Sequence, residues 1–339
     1  MSASVAITGA AALTPLGSIP DVWARCRAGA RASGAVAEMP LGAWPETVRA
    51  RAARAERLAQ LVLAAGGAAL EEAGLAGTEG APRPMIGVVL GTAFGCFLTN
   101  AAHERRVAEA GPAGASPRLF AATVSNAAAG ELGIAYRLGG PAVTLTAGAA
   151  SGLVALGHAI DLLRAGHADA LVSGGAEALG DDLERWLRDG GLDTGLPPSE
   201  GAALLVLEEW TSARRRGVRV LGTLEGCGAG FEPRRSGEGL ARAVAETLED
   251  AGVRSSEVEL CVSGAGPGLS ELESRALRDV RPRVMLRPKQ ALGETFAAAG
   301  PLGLLAALAE APRGAVVLVL DVCPSGHVAA LVGRGAGDP

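Results

Sequence analysis

The chain has 339 residues, of which 49% are hydrophobic and 20% are charged, and its formal net charge is −5. This composition is typical of a soluble globular protein that is long enough for two domains or one large duplicated unit. The negative charge argues against a nucleic-acid partner. The five cysteines lack metal-type spacing and the N-terminus lacks signal-peptide features. We therefore expect a cytoplasmic protein with reduced thiols and no metal.

Short apolar runs alternate with longer helical patterns, an order that is typical of an α/β fold. The runs predict strands at residues 5–8, 85–90, 142–146, 170–172, 202–207, 218–225, 258–262, 316–321 and 327–332. Helical spacing predicts helices at residues 151–166, 240–251, 270–278 and 302–309. Residues 211–216, which end in three arginines, are interpreted as an exposed connection. The repeated order predicts two similar halves, residues 1–214 and 215–335.

Residues 138–160 are uncharged and long enough to suggest a membrane span. The stretch nevertheless contains five glycines and Pro141, and it separates into a strand-like half and a helical half. We therefore predict a strand followed by a helix, with no membrane contact.

Several common catalytic and cofactor motifs are absent from the sequence. Gly9 follows a strand, but the GxGxxG spacing of a dinucleotide site is missing and Pro15 falls where a helix would begin. Tyr136 has no lysine four residues later, which a short-chain dehydrogenase would need. The sequence contains no P-loop, no metal-type histidine spacing and no Gly-x-Ser-x-Gly elbow. These absences argue against a nicotinamide enzyme, a P-loop protein and a serine hydrolase.

The most informative stretch runs from residue 122 to residue 177. Within it a strand leads into Ala-Gly-Ala-Ala-Ser-Gly at residues 147–152, where a helix begins. Small residues at such an elbow let a ligand approach the helix N-terminus, whose free N–H groups stabilise an anion. The elbow is suited to a nucleophile or an oxyanion, yet alanine stands where a cysteine or serine is expected.

These residues resemble the ketosynthases, the condensing enzymes of the thiolase fold. The similar motifs are Ile-Thr-Gly at residues 7–9 with Pro-Leu-Gly at 15–17, the segment from Asn126 to Gly152, Gly-x-Ala-Asp at 166–169, Gly-Gly-Ala-Glu at 174–177 and Ser-Glu-Gly-Ala at 199–202. The resemblance covers nearly the whole chain in order. It implies a thiolase-like α/β fold with two stacked α/β halves in a five-layer α-β-α-β-α arrangement.

The resemblance also implies that the catalytic residues are degenerate. The cysteine position of the family falls on Ala149, and the two histidine positions fall on Ser263 and Glu294. Without a thiolate at the elbow and without imidazoles, the chain has no groups there for acyl-enzyme formation or decarboxylation. Lys289, the only lysine in the chain, stands where the family keeps one. It is expected to hold local structure or to pair with Glu273.

Residues 226–243, 263–273 and 288–302 resemble the chain length factors of type II polyketide synthases more than active enzymes. This likeness implies a subunit that forms a heterodimer with an active ketosynthase and sets the length of a polyketide or polyene on an acyl carrier protein. It implies no cofactor of the chain's own, because the phosphopantetheine of the carrier protein acts through the partner. The chain departs from the family at Ala149, where glutamine is common, and it is shorter at residues 180–198 and 312–316.

The same resemblance assigns an interface and a gate. The interface is the strand Ala142, Val143, Thr144, Leu145 and Thr146. The gate at the end of the tunnel is one face of the helix after residue 95, with Trp186 beside it, and its members are Cys96, Thr99 and His103. The alternative is that this helix face packs against the chain's own core.

Two other functions remain open at this stage. One is a decarboxylase or acyltransferase of the same fold that uses Ser151 or Ser263, although Ser151 also fits the role of a hydroxyl at a helix start. The other is a purely structural partner of the ketosynthase. On the main hypothesis the isolated chain neither condenses nor takes up acyl groups.

Overall fold

The computed structural model describes residues 4–18, 21–32, 44–190 and 194–337. Residues 191–193, which belong to the shortened segment noted above, lie outside the described residues. The strands form two successive sets. The first set is β1 Val5–Thr14, β2 Gly17–Ser18, β3 Ile86–Gly91, β4 Ala142–Leu145, β5 Ala170–Glu177 and β6 Gly201–Glu209. The second set is β7 Gly222–Phe231, β8 Val258–Val262, β9 Val284–Leu286, β10 Val316–Val322 and β11 His327–Gly335.

Helices connect and cover these strands. In the first half they are α1 Asp21–Arg27, α2 Glu46–Ala52, α3 Arg57–Glu72, α4 Phe97–Ala110, α5 Pro117–Ala121, α6 Ala127–Ala135, α7 Ser151–Arg164, α8 Asp181–Asp189 and α9 Trp210–Arg216. In the second half they are α10 Glu238–Ala251, α11 Ser270–Ala276, α12 Lys289–Leu292 and α13 Ala299–Glu310. Among the described residues no helix is both long and apolar enough to cross a membrane.

The two strand sets have the same topology. The strand order is β4-β3-β5-β6-β1 in the first half and β9-β8-β10-β11-β7 in the second, and the two sets meet where β1 pairs with β7. In each set the first three strands in this order run parallel to one another. The fourth strand is antiparallel to both of its neighbours, the third and the fifth. The chain is therefore an internally repeated α/β unit. The boundary expected between residues 214 and 215 falls within the last turns of α9.

Five layers stack through the molecule. Helices α3 and α6 cover the outer face of the first strand set, and α10 and α11 cover the outer face of the second. Helices α7 and α13 lie between the two sets and are buried against both. The Leu153, Leu156 and Ile160 stripe of α7 supplies much of this central core. The fold class expected from the sequence, a thiolase-like fold in five layers, is confirmed.

Two elements differ from the sequence predictions. Residues 211–216 form helix α9 and are not a connection without regular structure. The carboxylate of Glu209 accepts from the Thr211 N–H at the start of this helix, and Gly217 ends it in the left-handed conformation. Strand β7 lies several residues later than predicted, because its glycines allow α10 to pack directly on the sheet. A Cβ atom at Gly226 would lie 2.5 Å from the Thr247 carbonyl oxygen of that helix.

Candidate functional site

The elbow between β4 and α7 has the backbone of a nucleophile site. Gly148 adopts a φ of +58°, a conformation that favours glycine, and α7 begins three residues later at Ser151. Ala149 occupies the position between them and is 2% exposed. The elbow geometry is present, and its central side chain is a methyl group.

The hydroxyl of Ser151 is used to hold the elbow together. It accepts a hydrogen bond from the Ala147 N–H at 2.8 Å, and it lies 2.6 Å from the Gly148 carbonyl oxygen and 3.1 Å from the Thr92 carbonyl oxygen as a donor. The residue is fully buried. The sequence suggested that Ser151 is a hydroxyl at the start of a helix, and these contacts agree with that role. The hydroxyl both donates and accepts hydrogen bonds within the elbow.

Ser263 is part of a second internal network. Its hydroxyl donates to Glu273 Oε1 at 2.6 Å and accepts from the Arg287 guanidinium at 3.2 Å. The other oxygen of Glu273 accepts from the N–H groups of Gly264 and Ala265. The carboxylate therefore fixes the turn after β8, and the serine hydroxyl is bound to it.

Lys289 pairs with Glu294, and the expected pairing with Glu273 is wrong. The distance from Lys289 Nζ to Glu294 Oε2 is 2.9 Å, and both side chains are buried. Glu294 Oε1 accepts from the Phe296 N–H at 2.9 Å, which anchors the turn into α13. Glu273 is committed to Ser263 and the turn after β8, so the lysine finds its counter-charge five residues along its own segment. Burial alone would lower the pKa of Lys289, but the nearby acidic groups, Glu294 first, raise it.

Asp321 lies beside this ion pair in the centre of the molecule. It is fully buried, and neither carboxylate oxygen has a hydrogen-bond partner among the described residues, although the Gly300 backbone lies against it. Burial raises the pKa of Asp321 well above its ordinary value, while the charge of Lys289 opposes that shift.

Glu177, the last residue of β5, holds the loop that leads to α4. Its carboxylate accepts from the N–H groups of Ala93 and Phe94 and from the hydroxyl of Thr92. Burial outweighs these hydrogen bonds and raises the pKa of Glu177 to about 7 from the ordinary 4.5. The folded protein thus keeps a proton on this group that the unfolded chain releases at a lower pH.

A pH dependence of stability follows from Glu177. Because its pKa is higher in the folded state, folding binds a proton between pH 4.5 and 7, and the free energy of unfolding falls as pH rises through this window. The fall is about 3 kcal/mol for a shift of this size. We expect Glu177→Gln to remove that part of the slope between pH 5 and 8, measured by chemical denaturation. A slope in the variant equal to that of the wild type would contradict the assignment.

Two of the predicted gate residues line one cavity. Cys96 and Thr99, at the start of α4, border a cavity of about 670 Å³ that also contacts the segment around Ser125 and Asn126. Thr99 is 5% exposed, and Cys96 Sγ donates to the Thr123 carbonyl oxygen at 2.9 Å. Their side chains therefore face the same space.

The other two gate candidates lie outside this cavity lining. His103 is one turn further along α4, where its ring contacts Phe120 at 5.9 Å between centroids and its buried Nδ1 has no partner among the described residues. Trp186, on α8, packs against Phe94 and Phe97 and is 44% exposed. The four residues do not converge on one space within this chain.

Strand β4 is the edge of the sheet, and the predicted interface residues lie on it. The carbonyl oxygens of Pro141 and Leu145 accept from β3. Because backbone groups alternate between the two sides of a strand, Ala142 and Thr144 direct theirs to the free edge. Thr146 follows directly after the strand. An exposed apolar side chain, Ile134, lies on α6, which packs against β4.

Sequence reasoning missed one thiol at the elbow. Cys323, just after β10, places its sulfur 3.3 Å from the Ala149 backbone nitrogen, which donates to it. The hydroxyl of Ser325 lies 3.0 Å from this sulfur and 3.1 Å from His327 Nδ1. The Cys-Pro-Ser-Gly-His pattern at residues 323–327 was visible in the sequence. Its position 174 residues from the elbow hid the connection.

Part of the chain, including the elbow, matches a known family model. Residues 42–188 match the family model described as the N-terminal domain of β-ketoacyl synthases. This part of the chain is therefore similar to the β-ketoacyl synthases.

Individual relatives narrow the comparison. Over 92% of its length the chain is 29% identical to "Actinorhodin polyketide putative beta-ketoacyl synthase 2" of Streptomyces coelicolor, of which the alignment covers 87%. It is also 32% identical to 3-oxoacyl-[acyl-carrier-protein] synthase 2 of Vibrio cholerae, over 59% of this chain and 54% of that protein.

Two solved structures are similar to the whole chain. One is the ishigamide ketosynthase/chain length factor, with a TM-score of 0.84, 21% identity and coverage of 99% of this chain and 100% of that one. The other is a type II polyketide synthase acyl-carrier protein in complex with its ketosynthase (AntDE:AntF), with a TM-score of 0.83, 18% identity and the same coverage. At these identities the likeness establishes the fold.

Proposed function

We propose that this chain is a chain-length-factor-type subunit that pairs with an active ketosynthase and sets the length of a polyketide or polyene chain on an acyl carrier protein. The observation that carries the proposal is the elbow: its backbone is intact, and Ala149 provides no nucleophile at its centre. A subunit that keeps the elbow backbone without a nucleophile can still pair with a ketosynthase, and the partner then performs the chemistry.

The two histidine positions support the same proposal. Glu294 is engaged by Lys289 and by the Phe296 N–H, and Ser263 is engaged by Glu273 and Arg287. Neither side chain is an imidazole, and both have structural partners, so neither is suited to stabilise the charge that develops during decarboxylation. Condensation is then left to the cysteine of the partner.

Pairing is supported by the free edge of β4. An unpaired edge strand beside an exposed apolar side chain is a surface that proteins normally cover. A ketosynthase of the same fold offers an equivalent strand, and the two edges would continue one sheet into the other. The two similar structures are a ketosynthase/chain length factor and a carrier protein in complex with its ketosynthase, which agrees with these partners.

The cavity beside α4 supports a role in chain length. In the proposed pair the growing chain extends past Cys96 and Thr99 into this space. Replacement of either residue by phenylalanine fills part of the cavity. The ring has to extend into this space, because the close-packed interior around it has no room for an added ring. We expect Cys96→Phe and Thr99→Phe to shorten the product by about one extension unit or more. Mass spectrometry of carrier-protein-bound products from the reconstituted pair measures this.

The remaining variants define the limits of the gate. His103→Ala is predicted to lengthen the product, and its effect reports how far the chain passes beyond Thr99. Glu104→Phe adds the same ring on the exposed side of α4 and is the matched control, with no change in length expected. An unchanged length distribution in Cys96→Phe, Thr99→Phe and His103→Ala, at normal pair formation, would favour the purely structural partner.

A further inference from the structure

Another thiol lies against the backbone of the elbow. Cys323 Sγ accepts from the Ala149 N–H, and a Cβ atom at Gly148 would lie only 2.4 Å from this sulfur. Glycine at 148 and alanine at 149 thus leave room for a side chain that enters from β10 in the second half. The thiol beside the elbow therefore belongs to a different segment of the chain.

The thiol at the elbow is connected to a base near the surface. Ser325 bridges Cys323 and His327 with distances of 3.0 and 3.1 Å. Ser325 is exposed and His327 is partly exposed, with its ring edge against Phe231 at 5.3 Å between centroids. In the thiolate form the sulfur accepts from Ala149 and Ser325, and Ser325 accepts from protonated His327. The Ala149 N–H, the Ser325 hydroxyl and the His327 Nδ1–H then each have an acceptor within this network, which is the arrangement of an activated nucleophile.

A second, independent feature marks the interior side of the thiol. Asp321 lies two residues before Cys323, so both side chains point to the same side of the chain at the end of β10. Its fully buried carboxyl group has no hydrogen-bond partner among the described residues. Asp321 lies close enough to Lys289 to help raise the pKa of that lysine. An unsatisfied polar group of this kind is rarely left without a functional reason.

The other cysteines lack such surroundings. Burial raises the pKa of Cys26 and of Cys261, and it raises that of Cys227 to about 12. These thiols are therefore held in the unreactive form. The Cys96 thiol donates a hydrogen bond to the Thr123 carbonyl oxygen. Cys323 is the thiol that has a backbone donor and a serine–histidine connection together.

We propose that Cys323 is an acyl-accepting nucleophile that takes the acyl group of an acyl thioester. The proton of Sγ passes through Ser325 to His327, and the sulfur attacks the thioester carbonyl. The bond from the carbonyl carbon to Sγ forms, the bond to the leaving sulfur breaks, and His327 returns the proton to the leaving thiolate. The products are an S-acyl Cys323 and a free thiol, with no change in oxidation state.

This activity goes beyond chain-length control and revises the expectation that the isolated chain takes up no acyl group. It does not restore condensation, because Ser263 and Glu294 still provide no imidazole. The heterodimer does not depend on it, since Cys323 lies at the elbow and not on the free edge of β4. The two proposals therefore fail separately.

The test is intact-protein mass spectrometry of the isolated chain after incubation with hexanoyl-N-acetylcysteamine, a small acyl thioester. We expect the addition of one hexanoyl group, located on Cys323 by peptide mapping and released by neutral hydroxylamine. Cys323→Ala should abolish it. Ser325→Ala and His327→Gln should slow it about 100-fold, the usual size of a lost general base.

Cys26→Ser is the matched control, a free cysteine outside the elbow and the cavity, and should be acylated at the wild-type rate. Peptide mapping of the wild-type protein decides the matter without relying on any variant. Acylation on a different residue, or none after the probe has acylated a complete ketosynthase under the same conditions, would overturn the proposal. Rates in Ser325→Ala and His327→Gln equal to wild type would overturn the proton path.

Discussion

Thr144→Pro is expected to weaken the affinity of this chain for its ketosynthase at least 100-fold, a loss of about 3 kcal/mol. Thr144 directs its N–H to the free edge of β4, where a partner strand would accept it, and proline has no N–H to donate. The backbone bonds of β4 to β3 come from the neighbouring residues, so the fold of the single chain stays intact.

Thr144→Ala is the matched control. It keeps the N–H and removes a buried hydroxyl that has no partner among the described residues, so pairing should remain near wild type. Analytical ultracentrifugation of each variant with a cysteine-containing ketosynthase measures the dissociation constant. Equal affinities for Thr144→Pro and Thr144→Ala would show that the edge of β4 is not the interface.

Ala149→Cys is expected to leave the isolated chain without condensing activity, below about one thousandth of the rate of a complete ketosynthase. Catalytic groups act as a unit, so a restored thiol remains ineffective while Glu294 is paired with Lys289 and Ser263 with Glu273. The added side chain is also crowded by the Cys323 sulfur, which lies 3.3 Å from the Ala149 backbone nitrogen.

The variant Ala149→Cys with Cys323→Ala removes that crowding and tests the same point without it. Both variants should bind an acyl group at most, and neither should decarboxylate malonyl-carrier protein. The assay is carbon dioxide release together with mass spectrometry of the carrier protein. Condensation by either variant alone would mean that the histidine positions are dispensable, which contradicts the account of the degenerate site.

The fold could be predicted from the sequence to a large extent, because its signals are local. The run at residues 258–262 and the start of α7 at Ser151 agree with the structure to the residue. Strand β1 extends six residues beyond its predicted end at Thr8, since its alanine-rich part gains its strand conformation from pairing with β6. Cross-strand pairing of this kind has no signature in a single segment.

The site could be predicted where a motif fixes position and not where contacts join distant segments. The elbow and the missing nucleophile at Ala149 followed from the order of small residues. The partner of Lys289 did not, because Glu273 and Glu294 are both acidic and only their packing assigns one to Ser263. The position of Cys323 beside Ala149 depends on how the two halves stack across α7.

Native mass spectrometry of this chain co-expressed with a cysteine-containing ketosynthase from the same organism tests the central claim most directly. The account predicts a one-to-one complex of the two chains, which condenses although this chain carries Ala149 at its elbow. The condensing activity of the complex disappears when the cysteine of the ketosynthase is replaced. A chain that remains a monomer or a homodimer beside the ketosynthase would contradict the account. So would a ketosynthase that makes products of the same length with and without this chain.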